Sequence, residues 1–317
     1  MELPTFQDIL QAAAVVKQHL QPTLCYDWPL LAERLNCRCF VKHENHQPTG
    51  AFKVRGGVNL VSRLQDEERR RGIIGCSTGN HGQSLAYAAR LFGVRCVIVV
   101  PEGNNPDKSA SIRALGAELV EAGRDFDEAK LACELLAQQQ GFRYVHSANE
   151  PHLIAGVGTI ALEIFQTVPN LDVLFVPIGL GSSVCGNLLV AHELSPQTRV
   201  IGVQAVGAAA VADSWRTKQW VEYDKVSTFA EGLATRKPAE MTLNIMRELL
   251  HEMVLVDDAQ IRQAMRLLLE TTHNLSEPAG AAALAAAWQM KDELSNKRIA
   301  VLLSGGNCDL RILPQLC

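Results

Sequence analysis

The sequence predicts an α/β fold made of two open, twisted parallel sheets. Three observations carry that expectation. A short apolar strand, a glycine-bearing turn and a helix recur along the chain, and strands alternate with helical stretches throughout. At 317 residues, 47% of them hydrophobic, the chain can bury one large core or two smaller ones. Strands that alternate with helices form parallel sheets covered on both faces.

The first clear unit has the strand Gly72-Ile-Ile-Gly-Cys76, the turn Ser77-Thr-Gly-Asn-His-Gly82 and a helix over 83–92, with Gly93 as its stop. Residues 95–100 form the next strand, which completes a βαβ unit. The second unit has a strand over 172–178, the turn Gly179-Leu-Gly-Ser-Ser183 and a helix from about Val184, followed by a strand over 199–203. Arg298–Leu303 reads as a buried strand closed by Ser304-Gly-Gly-Asn307. Helices are expected over 126–140, 158–167, 258–272 and the alanine-rich 279–290. Ligands of parallel sheets sit beyond the carboxyl ends of strands, where the strand order switches. The three glycine turns are therefore expected to converge on one site.

A net charge of −4 offers no basic field for nucleic acid or an anionic membrane. No apolar run is long enough to span a bilayer, and the first residues lack a signal-peptide pattern. A cytoplasmic location follows by default. Of nine cysteines, only Cys37 and Cys39 lie close together and no second pair has zinc-finger spacing. Reduced, mostly buried thiols are expected, with no metal site.

Two features carry chemistry. Gly179–Ser183 follows a strand and opens a helix, so its backbone N–H groups could cradle a phosphate, with the Ser182 and Ser183 hydroxyls adding hydrogen bonds. Glycine in such a turn can equally serve geometry alone. The segment is neither a Walker A loop nor a dinucleotide fingerprint, because Gly179, Gly181 and Gly186 have the wrong spacing. Lys53 stands between Phe52 and Val54 with glycines on both sides. A lysine on an amphipathic helix is ordinarily a solvated charge. These apolar neighbours are also compatible with a desolvated amine of lowered pKa that attacks a carbonyl.

Six motifs, in order from residue 47 to residue 307, together resemble the fold-type II pyridoxal-phosphate (PLP) enzymes, whose fold is tryptophan synthase β-like. They are Pro48-Thr-Gly-Ala-Phe-Lys-Val-Arg-Gly56, Ser77-Thr-Gly-Asn-His-Gly82, Ile154-Ala-Gly-Val-Gly-Thr-Ile-Ala-Leu-Glu163, Pro177-Ile-Gly-Leu-Gly-Ser-Ser183, Glu277-Pro-Ala-Gly280 and Leu303-Ser-Gly-Gly-Asn307. His81 after Asn80, and Arg55 two places after Lys53, resemble the threonine/serine dehydratase and serine racemase branch. The resemblance implies pyridoxal 5′-phosphate as cofactor, an amino acid substrate and a homodimer. Residues 72–148 would form a small domain inserted into a large one made of 1–71 and 149–317.

The resemblance also implies roles. Lys53 would carry the cofactor as a Schiff base and, once released, move the substrate Cα proton. Phe52 would pack on the ring, Asn80 would hold its 3′-hydroxyl and Ser304 would face the pyridine nitrogen. Gly179, Leu180, Gly181, Ser182 and Ser183 would bind the phosphate, and Glu277 belongs with the cofactor contacts. Ser77, Thr78, Gly79, Asn80 and His81 would take the substrate; helix capping is the other use of Asn80 and His81. A hydroxyl at the pyridine nitrogen leaves that nitrogen largely unprotonated, which favours prompt loss of a β-substituent over a long-lived carbanion.

Four departures narrow the expectation. The phosphate turn carries Leu180, Ser182 and Ser183 where the family is nearly all glycine. Ala51 and Ala279 replace serines. Thr78, the second catalytic candidate, stands where racemases carry the serine that works on the opposite face, and its methyl group crowds that face. Gln204 and Ala210 replace acidic metal ligands, so no stimulation by Mg²⁺ or Ca²⁺ is expected. With ten residues after Asn307, no regulatory domain and no isoleucine feedback are expected. The implied reaction is α,β-elimination from a β-hydroxy amino acid, L-threonine or L-serine by default, giving a 2-oxo acid and ammonia. Alternatives are a serine racemase, a dehydratase of 3-hydroxyaspartate or of a hydroxyectoine-derived diamino acid, and a PLP-binding protein without catalysis.

Overall fold

The computed structural model describes residues 2–316. Among the described residues there are ten strands: β1 Cys25–Asp27, β2 Arg38–His43, β3 Ile73–Cys76, β4 Cys96–Val100, β5 Glu118–Glu121, β6 Arg143–Tyr144, β7 Val173–Pro177, β8 Arg199–Ala205, β9 Glu252–Val256 and β10 Arg298–Leu303. They form a six-stranded sheet of order β1-β2-β10-β7-β8-β9 and a four-stranded sheet of order β5-β4-β3-β6. Every pairing is parallel except that of the edge strand β1 with β2. The antiparallel edge departs from the all-parallel expectation. Antiparallel neighbours need no crossover, so β1 pairs with β2 across the connecting residues 28–37, which hold the short helix Pro29–Leu35.

Both sheets are buried on both faces. Alternate residues of the six-stranded sheet divide between two apolar clusters: Val41, Phe175, Val203 and Val301 belong to one, and Phe40, Leu174, Val176, Ala300 and Leu302 to the other. In the four-stranded sheet, Ile73, Cys96 and Ile98 face one cluster while Ile74, Val97 and Val99 face another. This is the period-2 partition of strands sandwiched by helices. Among the described residues, no helix is long and apolar enough to cross a membrane.

The helices Phe126–Gln140 and Asp258–Thr272 occupy the expected residues. Three helices start two or more residues earlier than their sequence patterns suggest: Asn80–Phe92, Ser182–Leu194 and, by seven residues, Pro151–Thr167. In the last, Gly156 and Gly158 look like helix breakers but serve close packing. A Cβ on Gly156 would stand 2.6 Å from the Arg55 carbonyl oxygen, which is closer than real Cβ atoms approach backbone. The helix Lys53–Ser62 is thus pressed between the helices at 80–92 and 151–167. Ser84 Oγ donates a 2.6 Å hydrogen bond to the Lys53 carbonyl.

The strand orders fix where a ligand belongs. In the six-stranded sheet the order reverses between β10 and β7; in the four-stranded sheet it reverses between β3 and β6. A crevice forms outside the carboxyl ends of the strands that flank each reversal. Four loops border these crevices: those after β3, β6, β7 and β10.

Candidate active site

Lys53 sits at the start of its helix with Phe52 before it, and the Phe52 amide donates to the Ser304 carbonyl at 3.0 Å. A bridge between Ala51 and Gly305 ties the same segment to the end of β10. The Lys53 ammonium donates to the Ser147 carbonyl at 3.2 Å and to Ser182 Oγ at 3.1 Å. Burial disfavours its charge and pulls its pKa down to about 8. The amine therefore meets the loops after β6 and β7, while the two residues before it are tied to the end of β10.

Ser182 and Ser183 are the first two residues of the helix Ser182–Leu194, and both are buried. Gly181 precedes them with φ +98° and the helix has no side-chain cap. The first N–H groups of any helix lack intrahelical partners, and a buried start without a cap calls for an external acceptor. The helix dipole makes that acceptor an anion. Leu180 does not disturb the turn: its carbonyl accepts from Thr242 Oγ1, and the Gly179 carbonyl accepts from Thr235 Oγ1 at 3.4 Å. Replacing Gly179 would be obstructed, since a Cβ there would lie 2.4 Å from the Gly232 carbonyl oxygen.

On the facing loop, Ser77 Oγ accepts from the Gly79 and Gly82 amides at 3.2 and 2.9 Å, so this hydroxyl shapes the turn. Thr78, Gly79 and Asn80 are half-buried, and the side chain of Lys108 passes over Gly79. Asn80 Nδ2 donates to Glu277 Oε1 at 2.7 Å, and Asn80 Oδ1 accepts from Asn307 Nδ2 at 2.7 Å. This orients the amide and leaves it one N–H to donate. Burial raises the Glu277 carboxyl to about 7, against the lowering effects of the Asn80 hydrogen bond and of Lys108. A cavity of about 400 Å³ opens beside the cluster and is lined in part by Glu277, Asn307, Lys108 and Glu231.

His81 points inward: it is buried, with Nε2 3.3 Å from the Val145 carbonyl and no partner at Nδ1. Gln204 is fully buried and its Oε1 accepts from the Ala212 amide at 2.9 Å. Arg55 is buried too, ion-paired with Glu44 and Glu163 behind the lysine. The contribution of the β6 loop could not be read from residue types. It enters through a backbone carbonyl, Ser147 O, beside the half-buried His146. Residues 145–149 carry no glycine and belong to none of the six motifs.

Buried neutral histidines make this region acid-sensitive. Burial pulls His43 and His146 down to about 4 and His81 to about 3. A folded-state pKa below the unfolded value contributes stability that is fully present above pH 6.5 and is lost as pH falls toward the folded value. Each such histidine is expected to weaken the fold by about 1.4 kcal/mol per pH unit below 6.5. Urea unfolding between pH 7 and 4.5 checks this, and an unchanged unfolding free energy across that range would refute it.

The residues fit pyridoxal 5′-phosphate. The uncapped, buried helix start suits a phosphate, the lowered lysine amine suits a carbonyl, and the oriented Asn80 amide suits a ring hydroxyl. Comparison with known proteins agrees. Residues 16–305 match the family described as "Pyridoxal-phosphate dependent enzyme". The chain is 35% identical to an L-threonine ammonia-lyase of Thermotoga maritima, over 98% of this chain and 78% of that protein. It is also 35% identical to an L-threo-3-hydroxyaspartate ammonia-lyase of Saccharomyces cerevisiae, over 98% and 95%. The structure of the processed form of threonine deaminase isoform 2 from Solanum lycopersicum superposes with a TM-score of 0.94 at 31% identity, covering 99% of this chain and 89% of that one. With sheets, site and sequence in agreement, the chain belongs to the pyridoxal-phosphate dependent enzymes.

Proposed function

We propose that this enzyme removes water from a β-hydroxy amino acid, L-threonine or L-serine by default, and that water then hydrolyses the resulting enamine to a 2-oxo acid and ammonia. The observation that carries the proposal is the Lys53 amine held 3.1 Å from Ser182 Oγ, at a buried helix start that no side chain caps. Pyridoxal 5′-phosphate, when bound, supplies the electron sink that makes the substrate Cα–H acidic.

The backbone amides of Gly179–Ser183 would hold its phosphate. Phe52 would pack on its ring, Asn80 would donate to its hydroxyl with Glu277 behind, and Ser304 would face its ring nitrogen. The N–H groups of Ser77–Asn80, at the start of the helix Asn80–Phe92, would bind the substrate carboxylate, with His81 supporting that loop from beneath. Lys53, its pKa lowered to about 8, would take the Cα proton, and the Ser147 carbonyl and Ser182 hydroxyl would hold the amine in place. Elimination needs only this one base. Racemisation needs a second group on the opposite face, where the Thr78 methyl is an obstacle; this favours the lyase reading.

The same reading has the enzyme acting as a homodimer, which the family resemblance supports, and takes a cytoplasmic location by default. It also has residues 72–148 acting as a small domain; the confinement of the four-stranded sheet to residues 73–144 supports that.

The test is an absorption spectrum of the purified protein, followed by candidate amino acids with detection of 2-oxo acid. A visible band that borohydride bleaches, with label on Lys53, and 2-oxo acid from one β-hydroxy amino acid are expected. Turnover of L-threo-3-hydroxyaspartate in preference to threonine would reassign the substrate, and formation of a D-amino acid without 2-oxo acid would reassign the reaction. Protein that PLP cannot colour would remove the proposal altogether.

A further inference from the structure

The loop after β6 borders the crevice at the order reversal of the four-stranded sheet, and its hydrogen bonds run to two parts of the site. His146 Nδ1 accepts from the Ala148 and Asn149 amides at 3.0 and 2.9 Å. Between them the Ser147 carbonyl receives the Lys53 ammonium. Asn149 Oδ1 accepts from the Met241 amide at 3.1 Å, near the start of the helix Glu240–Leu249. The next residue of that helix, Thr242, donates to the Leu180 carbonyl of the phosphate turn.

We infer that His146 is a positioning residue: by accepting two successive amides at Nδ1 it sets the loop that aims the Ser147 carbonyl at Lys53 and braces the phosphate turn through Asn149. The inference rests on the proposed function for what Lys53 and the turn bind.

Three points support it. A nitrogen that accepts two N–H groups carries no proton, so the imidazole is the Nε2–H tautomer. Burial and the neighbouring cations Lys130, Lys53 and Lys237 keep it neutral, with a pKa near 4. Protonation would place a donor against two donors, and replacement by an apolar side chain would leave both amides without an acceptor. The remaining turn, residues 147–149, has no secondary structure of its own to hold it. Its geometry therefore depends on the side chain that closes it.

The experiment compares wild type, His146→Ala, His146→Asn and His146→Gln as holoenzymes. Asparagine places Oδ1 where Nδ1 stands and can accept the same two amides; glutamine puts its amide about one bond further out. Three quantities are measured: the dissociation constant for PLP, the rate at which hydroxylamine removes the visible band, and the ³¹P resonance of the bound phosphate. His146→Ala is expected to weaken PLP binding and speed the hydroxylamine reaction about tenfold each, and to shift the resonance. His146→Asn is expected to restore all three to near wild type, which a general loss of stability would not permit.

Unchanged values in His146→Ala would overturn the inference, as would His146→Asn values as impaired as those of a folded His146→Ala. If the alanine variant fails to fold, the asparagine and glutamine variants decide: asparagine near wild type with glutamine impaired supports the inference, and equal behaviour overturns it. A wild-type protein that takes up no PLP would defeat the functional proposal first and this inference with it. Normal PLP uptake with an indifferent His146 would defeat this inference alone.

Discussion

Lys53→Ala is expected to lower kcat by about a thousandfold or more while the chain stays folded. The side chain makes two hydrogen bonds at its tip, to Ser147 and Ser182, so its removal takes little from the fold. Its chemistry is harder to replace. With a pKa near 8, about half of the amine is unprotonated at pH 8, against about 0.3% for an ordinary lysine amine. The same substitution should abolish borohydride fixation of the cofactor at this position. A small primary amine added in solution should restore part of the turnover, because the vacated space can admit a substitute base. Steady-state kinetics on the soluble variant check the prediction, and turnover at the wild-type rate would show that the proton transfer lies elsewhere.

Arg55→Met is expected to cost about 3–5 kcal/mol of stability. The Arg55 guanidinium spends its five N–H bonds on Glu44, Glu163 and Thr159, at 2.6–3.1 Å. Glu44 is fully buried and also accepts from Thr23 Oγ1; burial would raise its pKa, but the charge and hydrogen bonds of Arg55, with help from Lys42 and Thr23, bring it below the ordinary value. Deleting the cation leaves a buried carboxylate facing only Lys42 at longer range, and Lys42 is itself bound to Glu163. An unpaired buried charge is the costly outcome, whereas replacing a pair together is often mild. Arg55→Met combined with Glu44→Gln should therefore recover a substantial part of the loss. Denaturant midpoints of the three proteins check this; a single variant as stable as wild type would mean that the cluster relaxes or admits water. Because Arg55 follows Lys53 by two residues on the same helix, the single variant should also loosen the cofactor.

The strands that end in glycine turns were legible because an apolar run followed by glycine has few other uses. β3, β7 and β10 stand where such runs end; the turn after β7 reaches the Lys53 amine, that after β10 reaches Phe52, and that after β3 joins the β10 turn through Asn80 and Asn307. β2 was hidden by its own chemistry. Lys42 and His43 are polar residues buried in a central strand, so the run breaks the apolar pattern by which buried strands are recognised. The helix at 151–167 was shortened by its glycines, whose purpose is contact with the helix at 53–62 and not a turn. The loop after β6 leaves no mark in the sequence for a different reason. A carbonyl oxygen acts there, every residue has one, and only the fold decides which of them faces an amine. The partners of Arg55, Glu44 and Glu163, lie far apart in sequence and no spacing pattern names them.

The strand order has a consequence for synthesis. β10 lies between β2 and β7, so the middle of the six-stranded sheet is the last part of it to leave the ribosome. Until residue 303 has emerged, β1-β2 and β7-β8-β9 are two separate ribbons, each with an open edge where β10 will lie. The four-stranded sheet comes from one continuous stretch and can close long before. A nascent chain paused between residues 256 and 298 would therefore carry a finished small sheet beside two unjoined ribbons. Such open edges invite pairing with other chains, which makes this interval the one in which the growing polypeptide most needs chaperone protection.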